Sequence, residues 1–324
     1  MRLVHALGIV VLMCATACAA PPQAASVAES PSPDIAELWQ DPVDLLERDL
    51  YHGPGGAALQ PAESGRYEFI AFKTTGTNPG YDVRDASGRV WSVKLGIEAQ
   101  SEVTSSRILW AMGFHQPPTY YLSRFTLTGA DAGEKSEARF RTDIDGWIAA
   151  GFWSWYANPF VDTQPFRGLV VAQLILNAWD LKVPNNRIYD AVDDAAWPRR
   201  LFMVRDVGAS LGEARQFLPL TWLGTRGLQG TKNDIDDFER QGFITGVDGD
   251  RVEFDYRGQH SPLLDLITVT DVAWTCALLA RLPDAQWHDA FRAGHYPAAE
   301  RDRYIRKIKE KIAQGLALRD GVTR

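Results

Sequence analysis

The sequence predicts an α+β protein with two lobes, a strand-rich first half and a mainly helical second half. Short apolar and aromatic stretches separated by turn residues occupy 67–94 and indicate strands. Apolar residues at helical spacing recur at 166–179, 268–282 and 301–318. The chain of 324 residues has no internal repeat and is long enough for one large domain or two lobes that share a cleft.

Composition narrows the class of protein further. With 45% hydrophobic and 23% charged residues, the chain is ordinary for a globular protein, which excludes collagen-like and largely disordered classes. The net charge of −7 argues against a nucleic-acid partner, because nucleic-acid-binding proteins usually carry a basic excess. Three cysteines are too few for a disulfide framework.

The N-terminus has the layout of a secretory signal peptide. Arg2 precedes the apolar run 7–13, and small residues follow up to Ala20, so we predict a signal peptide over 1–18. Cys18 after Ala-Thr-Ala resembles the acylation site of bacterial lipoproteins, and simple cleavage with a soluble product is the alternative. Either way, we expect an exported protein of the periplasm or cell envelope, with membrane attachment only through a lipid on Cys18.

The predicted elements follow in order. A linker and a leading helix at 34–50 make up residues 19–60. The predicted N-lobe, 61–160, contains strands at 67–72, 81–85 and 89–94, a helix at 98–113 and a strand at 119–122. A polar stretch near 129–137 and an aromatic stretch at 147–156 complete it.

The predicted C-lobe covers 161–324. It opens with the apolar helix 166–179, which is followed by paired strands at 186–189 and 201–204. A hairpin is predicted around Asp248-Gly249-Asp250, between segments 243–244 and 252–256. The clearest late helices are 268–282 and 301–318.

The most informative hexapeptide is Asp180 to Asn185 (DLKVPN). It places an Asp, a Lys two residues later and an Asn five residues later in a loop after the apolar helix. A tight loop there brings the carboxylate and the amide to the same side of a cleft. Alone, this pattern arises often by chance.

Three further features accompany the hexapeptide in order along the chain. Lys94 ends a predicted strand behind the turn-rich loop 74–80, and Glu102 begins the next helix, where it can pair with Lys94. Glu98 is the rival partner. Asp206-Val207-Gly208 comes directly after the strand 201–204.

Each feature has an ordinary structural interpretation when it is taken alone. Lys94 can be a surface-reaching strand lysine, Asp206 a turn cap, and Asn185 a turn residue. Four features in one order, each in a suitable structural context, outweigh those separate interpretations.

Together these motifs resemble the protein-kinase-like superfamily, in an atypical form similar to HipA-type toxin kinases and secretory-pathway casein kinases. The resemblance covers residues 67–212 and implies a two-lobed kinase-like fold that uses ATP and Mg²⁺. It implies that Asp180 is the catalytic base, that Lys182 neutralises charge on the transferring phosphoryl group, and that Asn185 and Asp206 hold the metal. Lys94, with Glu102 orienting it, would contact the phosphates, and Thr75 and Gly76 would cap them.

The expected activity is transfer of the γ-phosphoryl group to a hydroxyl of a protein, sugar or lipid acceptor. Because ATP is scarce in the bacterial envelope, two alternatives stay open: a pseudokinase-like binding or scaffold module, and an AMP-transferring enzyme on the same fold. The joint presence of Lys94, Asp180, Asn185 and Asp206 favours catalysis, since degenerate relatives typically lose at least one of these residues.

Overall fold

Five strands of the first half close into a barrel. The computed structural model describes residues 34–74, 78–215, 230–257 and 260–322. The barrel order is β1-β2-β3-β5-β4, with β1 parallel to β4 and the other neighbours antiparallel. The bounds are β1 Arg66–Phe72, β2 Gly80–Arg84, β3 Val90–Leu95, β4 Thr119–Thr128 and β5 Gly133–Arg141.

Aromatic side chains fill the barrel because alternate strand residues point inward. Phe140 is fully buried, and its ring centroid lies 4.9 Å from that of Tyr67 and 5.0 Å from that of Phe125. Closure of the barrel depends on β5, which the sequence analysis described only as a polar stretch. The first part of β5 is exposed, so its sequence lacks a continuous apolar signal; only its end, 138–141, is buried.

Helix α1, Glu98–Ala111, packs against the barrel and against the helices of the second half. Nearly all of its residues are buried, including several polar ones. Arg107, for example, is fully buried and donates hydrogen bonds to the carbonyl oxygens of His52 and Thr119. A helix that is covered on every side holds its polar side chains in fixed positions, and this includes those that face the cleft described below.

The second half carries the remaining elements. A three-stranded sheet has the order β6 Trp147–Gly151, β7 Asn186–Ala191 and β8 Arg200–Val204, and a hairpin pairs β9 Ile244–Asp248 with β10 Arg251–Phe254. The helices are α2 Gln164–Ile175, α3 Ile235–Arg240, α4 Val269–Ala280, α5 Asp284–Ala293 and α6 Ala298–Val322. The predicted strand pair at 186–189 and 201–204 and the late helices are confirmed.

Helix α2 ends four residues earlier than predicted. The apolar pattern continues to Trp179, but Asn177 adopts a positive φ of 52°, and its side-chain amide donates to the carbonyl oxygen of Gly212 at 2.7 Å. Asn tolerates this left-handed conformation better than most residues. The early end gives the chain room to turn before Asp180.

The predicted leading helix at 34–50 is wrong. This segment instead forms two short 3-10 turns, Ile35–Glu37 and Leu45–Glu47. Pro42 lies between them, and a proline there lacks the N–H that a continuous helix requires. Further 3-10 turns are Gly53–Gly55, Ala57–Leu59, Val183–Asn185 and Ser261–Leu266.

The structure contains both helices and strands, which confirms the predicted α+β class at the level of secondary-structure content. The barrel interior and the helical interior form separate hydrophobic clusters, and α1 contributes Ile108, Leu109 and Ala111 to the helical one. Over the described ranges, no helix is both long and apolar enough to cross a lipid bilayer. The predicted signal peptide and Cys18 lie outside the described residues, and the boundaries at 61–160 and 161–324 stay predictions.

Candidate functional site

Lys94 lies at the centre of a cluster of charged side chains. Its ammonium nitrogen is 2.7 Å from Oε2 of Glu102 and 2.9 Å from Oε2 of Glu98. Both carboxylate oxygens of Asp206 lie 2.9 Å from the same nitrogen. Burial favours the neutral amine, but the three carboxylates outweigh it and raise the pKa of Lys94 above its ordinary value.

Glu102 is the most buried member of this cluster, with 1% of its side chain exposed. Besides Lys94, it faces two arginines of β5: its Oε1 lies 2.8 Å from Nε of Arg139 and 3.0 Å from a terminal nitrogen of Arg141. Arg139 stands opposite Lys94 in the strand register, and Arg141 stands opposite Ser92. One buried carboxylate is therefore shared by three cations.

Glu98, one turn before Glu102 on α1, extends the cluster toward the segment before α3. Its second carboxylate oxygen forms an ion pair with Lys232. Gly208 packs against Glu98: a Cβ at position 208 would lie 2.9 Å from the Cβ of Glu98. A larger residue at 208 would thus push α1 away from the loop that carries Asp206.

Asp206 lies two residues after the end of β8, and backbone hydrogen bonds hold this segment in place. The amides of Arg205 and Asp206 both donate to the carbonyl oxygen of Asn185, at 2.7 and 3.1 Å. Burial acts to raise the pKa of Asp206, but Lys94 and Arg141 outweigh that effect and hold the pKa well below its ordinary value. The carboxylate is therefore charged at neutral pH.

The loop after α2 presents Asp180 beside Asn185. The side-chain amide of Asn185 donates to the backbone oxygen of Asp180 at 2.6 Å and to Oδ2 of Asp180 at 3.2 Å. The ammonium of Lys182 lies 2.7 Å from Oδ1 of Asp180. A 3-10 turn, Val183–Asn185, returns the chain toward Asp180, so the six residues form a closed loop.

These groups line one cleft of about 580 Å³, a volume within the range of small-molecule sites. Both the barrel strands and the 180–206 segment contribute to its wall. Its described cationic residues are Lys73, Lys94, Arg139, Arg141, Lys182, Arg187, Arg205 and Lys232, and its described carboxylates are Glu98, Asp180 and Asp206. The cleft is thus rich in positive charge, although the chain as a whole carries −7.

The structure brings together six of the eight residues that the sequence singled out. Lys94, Asp180, Lys182, Asn185 and Asp206 line the cleft, and Glu102 lies behind Lys94. Glu98, named as the rival of Glu102, contacts the same ammonium group. The other two predicted residues, Thr75 and Gly76, lie outside the described residues.

Sequence reasoning missed six cations of the cleft: Arg139, Arg141, Lys73, Arg187, Arg205 and Lys232. The alternation of apolar and basic residues at 138–141 (ARFR) was the available signal for the first two, since it is typical of a strand with one face in a core. Arg205 directly precedes the Asp-Val-Gly motif. No local pattern marks Lys232, which reaches the cluster only through the tertiary fold.

Asn185 and Asp206 fit the role of Mg²⁺ ligands. Mg²⁺ prefers oxygen ligands and is often bound by one or two side chains together with substrate phosphates and water. The nitrogen of the Asn185 amide is used by Asp180, which leaves the amide oxygen as the metal-binding atom. No three His, Cys, Asp or Glu side chains in the described part of the chain form a metal-binding group by themselves, so phosphates and water would have to complete the coordination.

Comparison with known proteins finds similarity among solved structures. No family model and no curated protein matches the sequence. The crystal structure of the Helicobacter pylori proinflammatory kinase CtkA is similar with a TM-score of 0.45 and 10% sequence identity, and the match covers 77% of this chain and 96% of that one. The similarity is too low to carry an argument, so the function has to be argued from the geometry of the site.

The charge cluster predicts a specific response to acid. The lowered pKa values of Asp206 and Glu98 mean that the stability they contribute is present at neutral pH and is lost as the pH falls below about 4. We expect Lys94→Met to lower the free energy of unfolding at pH 7 by about 3–5 kcal/mol, because buried carboxylates lose their partner. Between pH 7 and pH 3 the variant should lose less stability than the wild type, as measured by urea unfolding.

The control is Lys307→Met, because Lys307 on α6 forms no ion pair within the described ranges. It should retain the wild-type difference between pH 7 and pH 3. If Lys94→Met also keeps that difference, the cluster does not set the acid response.

Proposed function

We propose that the protein is a Mg²⁺-dependent phosphotransferase with a kinase-like arrangement, which transfers the γ-phosphoryl group of ATP to a hydroxyl group. One observation carries the proposal. The ammonium group of Lys94 contacts both Glu102 on α1 and Asp206 after β8. The Asp180–Asn185 loop opens into the same cleft. Under this proposal the barrel with α1 acts as one lobe and the helical half as the other.

The charge of the cleft supports a polyphosphate ligand. Cationic side chains outnumber carboxylates on its walls, and a cleft with low-dielectric walls concentrates the field of such groups. A nucleotide triphosphate carries the opposite charge and would relieve the mutual repulsion of these cations. Since the protein is acidic overall, this local excess is not a consequence of composition.

Asp180 is the candidate general base. With Oδ1 near Lys182 and Oδ2 near the Asn185 amide, its carboxylate is fixed at the cleft wall. When an acceptor hydroxyl oxygen forms a bond to the γ-phosphorus, the bond from that phosphorus to the bridging oxygen of the β-phosphate breaks. Asp180 accepts the hydroxyl proton, and ADP leaves with the electron pair of the broken bond.

Lys94 has two roles in this proposal. Its ammonium contacts both carboxylate oxygens of Asp206, and Glu102 keeps the ammonium at the cleft floor. When phosphates enter, Lys94 can exchange the Asp206 carboxylate for a phosphate oxygen and still retain Glu102. Asp206 and Asn185 are then available to hold Mg²⁺, which when bound neutralises charge on the phosphates.

The first test of the proposal is ligand-dependent thermal stability. ATP with Mg²⁺ at a hundredfold excess over Kd should stabilise the folded protein by about 2.7 kcal/mol, because only the folded state binds the ligand. Asp206→Asn should abolish the part of the shift that requires Mg²⁺. Asp190→Asn, a matched change of a half-exposed aspartate on β7, should retain it. If no nucleotide shifts the wild-type midpoint, the proposed function fails.

Transfer itself is tested with labelled ATP. Incubation of the protein and an envelope extract with γ-labelled ATP should label an acceptor, and Asp180→Asn should lower the rate by at least about 100-fold, the usual contribution of a general base. Asp193→Asn, on an exposed loop, should behave as the wild type. Labelling from α-labelled ATP would instead identify AMP transfer. Nucleotide binding without any labelling would identify a binding module.

The proposal also includes export to the cell envelope, on the N-terminal pattern alone. We expect cell fractionation to find the mature protein outside the cytoplasm and shortened by cleavage within 17–20. If Cys18 is acylated, Cys18→Ala should shift the protein from the membrane fraction to the soluble one; if cleavage is simple, the wild type should already be soluble. An uncleaved cytoplasmic protein would contradict export.

A further inference from the structure

A second cavity adjoins the cleft, and two arginines lie where the two meet. This second cavity also measures about 580 Å³, and it lies against β2 and β3 and the segment after β5. Both cavities are lined by Lys73, Ser92, Arg141 and Arg205. The junction is therefore a cationic surface that is open to both spaces.

Arg141 has donors that its partners leave unused. One terminal nitrogen donates to Oε1 of Glu102 at 3.0 Å and to the backbone oxygen of Arg205 at 2.6 Å. Its Nε is buried and has no hydrogen-bond partner among the described residues. Only 9% of the side chain is exposed, so water does not readily replace the missing acceptor.

The side chain of Arg205 has fewer close hydrogen-bond and ion-pair partners than that of Arg141. Its Nε is also buried, and no side chain or backbone group in the described part of the chain forms a hydrogen bond with it. Its closest carboxylate is that of Asp143, at 3.8 Å, and this side chain is 75% exposed. The positive charge of Arg141, followed by burial, lowers the pKa of Arg205 to about 10. Two guanidinium groups are thus held together although they repel each other.

The net charge of the side chains connected to Arg141 and Arg205 also favours an anionic ligand. Its members are Lys94, Arg139, Arg141, Arg205 and Lys232, with the carboxylates Glu98, Glu102 and Asp206. Five cations face these three anions and the exposed Asp143, which lies 3.8 Å from Arg205. This leaves an excess of one positive charge among the described side chains. Lys73 adds little to the excess because it pairs with Asp82.

We propose that Arg141 and Arg205 form an anion site that binds a phosphate group at the junction of the two cavities. A phosphate anion is attracted by this local excess of positive charge, and its oxygens can accept hydrogen bonds from both guanidinium groups. Arginine is suited to this role because its planar donors match phosphate geometry. The phosphate belongs either to the nucleotide of the proposed function or to a separate phosphorylated ligand.

The test measures binding of inorganic phosphate to the purified full chain by calorimetry, at low ionic strength and without nucleotide or Mg²⁺. We expect the wild type to bind phosphate, and Arg205→Gln to weaken that binding by at least about tenfold, because charge-assisted hydrogen bonds are lost. Arg205→Gln is preferred over a change at Arg141, since Arg141 also supports the buried Glu102.

Two matched controls separate a local site from a general effect of positive charge. Arg89→Gln removes a guanidinium from the second cavity that is already paired with Asp145. Arg292→Gln removes one that lines neither cavity, where it pairs with Asp289 and stacks on Tyr51. Both variants should bind phosphate within about threefold of the wild type, since each of these guanidinium groups already faces a carboxylate. Absence of phosphate binding by the wild type, or an equal loss in either control, would overturn the site.

A second titration, in the presence of ATP and Mg²⁺, identifies the source of the phosphate. If phosphate affinity persists, the site takes a separate phosphorylated ligand; if it disappears, the phosphates of the nucleotide occupy the site. Either result supports the anion site. Because the first titration uses no nucleotide, the anion site and the proposed nucleotide site can fail independently.

Discussion

The ammonium group of Lys94 must be neutralised at a position where little water reaches it, and the arrangement of the site depends on this. Three carboxylates from two parts of the chain meet at that nitrogen: Glu98 and Glu102 from α1, and Asp206 from the end of β8. A buried charge is tolerated only with close partners and complete hydrogen bonding. The contact therefore ties the barrel, α1 and the strand that leads to Asp206 into one geometry.

Burial of Glu102 has a second consequence, because a carboxylate with 1% exposure needs more than one hydrogen-bond donor. The barrel supplies Arg139 and Arg141 from β5, and these arginines need acceptors in turn. The network of ion pairs and hydrogen bonds therefore continues along the wall of the cleft to Arg205. The Nε of Arg205 has no hydrogen-bond acceptor among the described residues. The unpaired donors lie at the open junction of two cavities, where a ligand can reach them.

Under the proposed function, this network serves the exchange of partners as well as stability. Replacing a buried ion cluster with apolar residues often leaves stability unchanged or raises it, so stability alone is a weak reason to keep one. In that proposal the side chains that hold each other also hold phosphates when these bind. The rigid parts are α1, covered on all sides, and the Asp180–Asn185 loop, closed by its own hydrogen bonds. The exchangeable part is the contact between Lys94 and Asp206.

Local features of the site follow from the sequence alone: the strand ending at Lys94, the helix of Glu102, the loop Asp180–Asn185 and the strand before Asp206. Each depends on short-range periodicity or turn chemistry, which neighbouring residues encode. The sequence-based prediction was wrong for segment 34–50, where Pro42 divides the helical pattern, and for the end of α2, where Asn177 turns. Arg139, Arg141 and Lys232 join the site through the tertiary structure. The alternation at 138–141 indicates a strand but not the strands beside it, and Lys232 has no local signal, because these positions depend on barrel closure and on contacts between residues far apart in the chain.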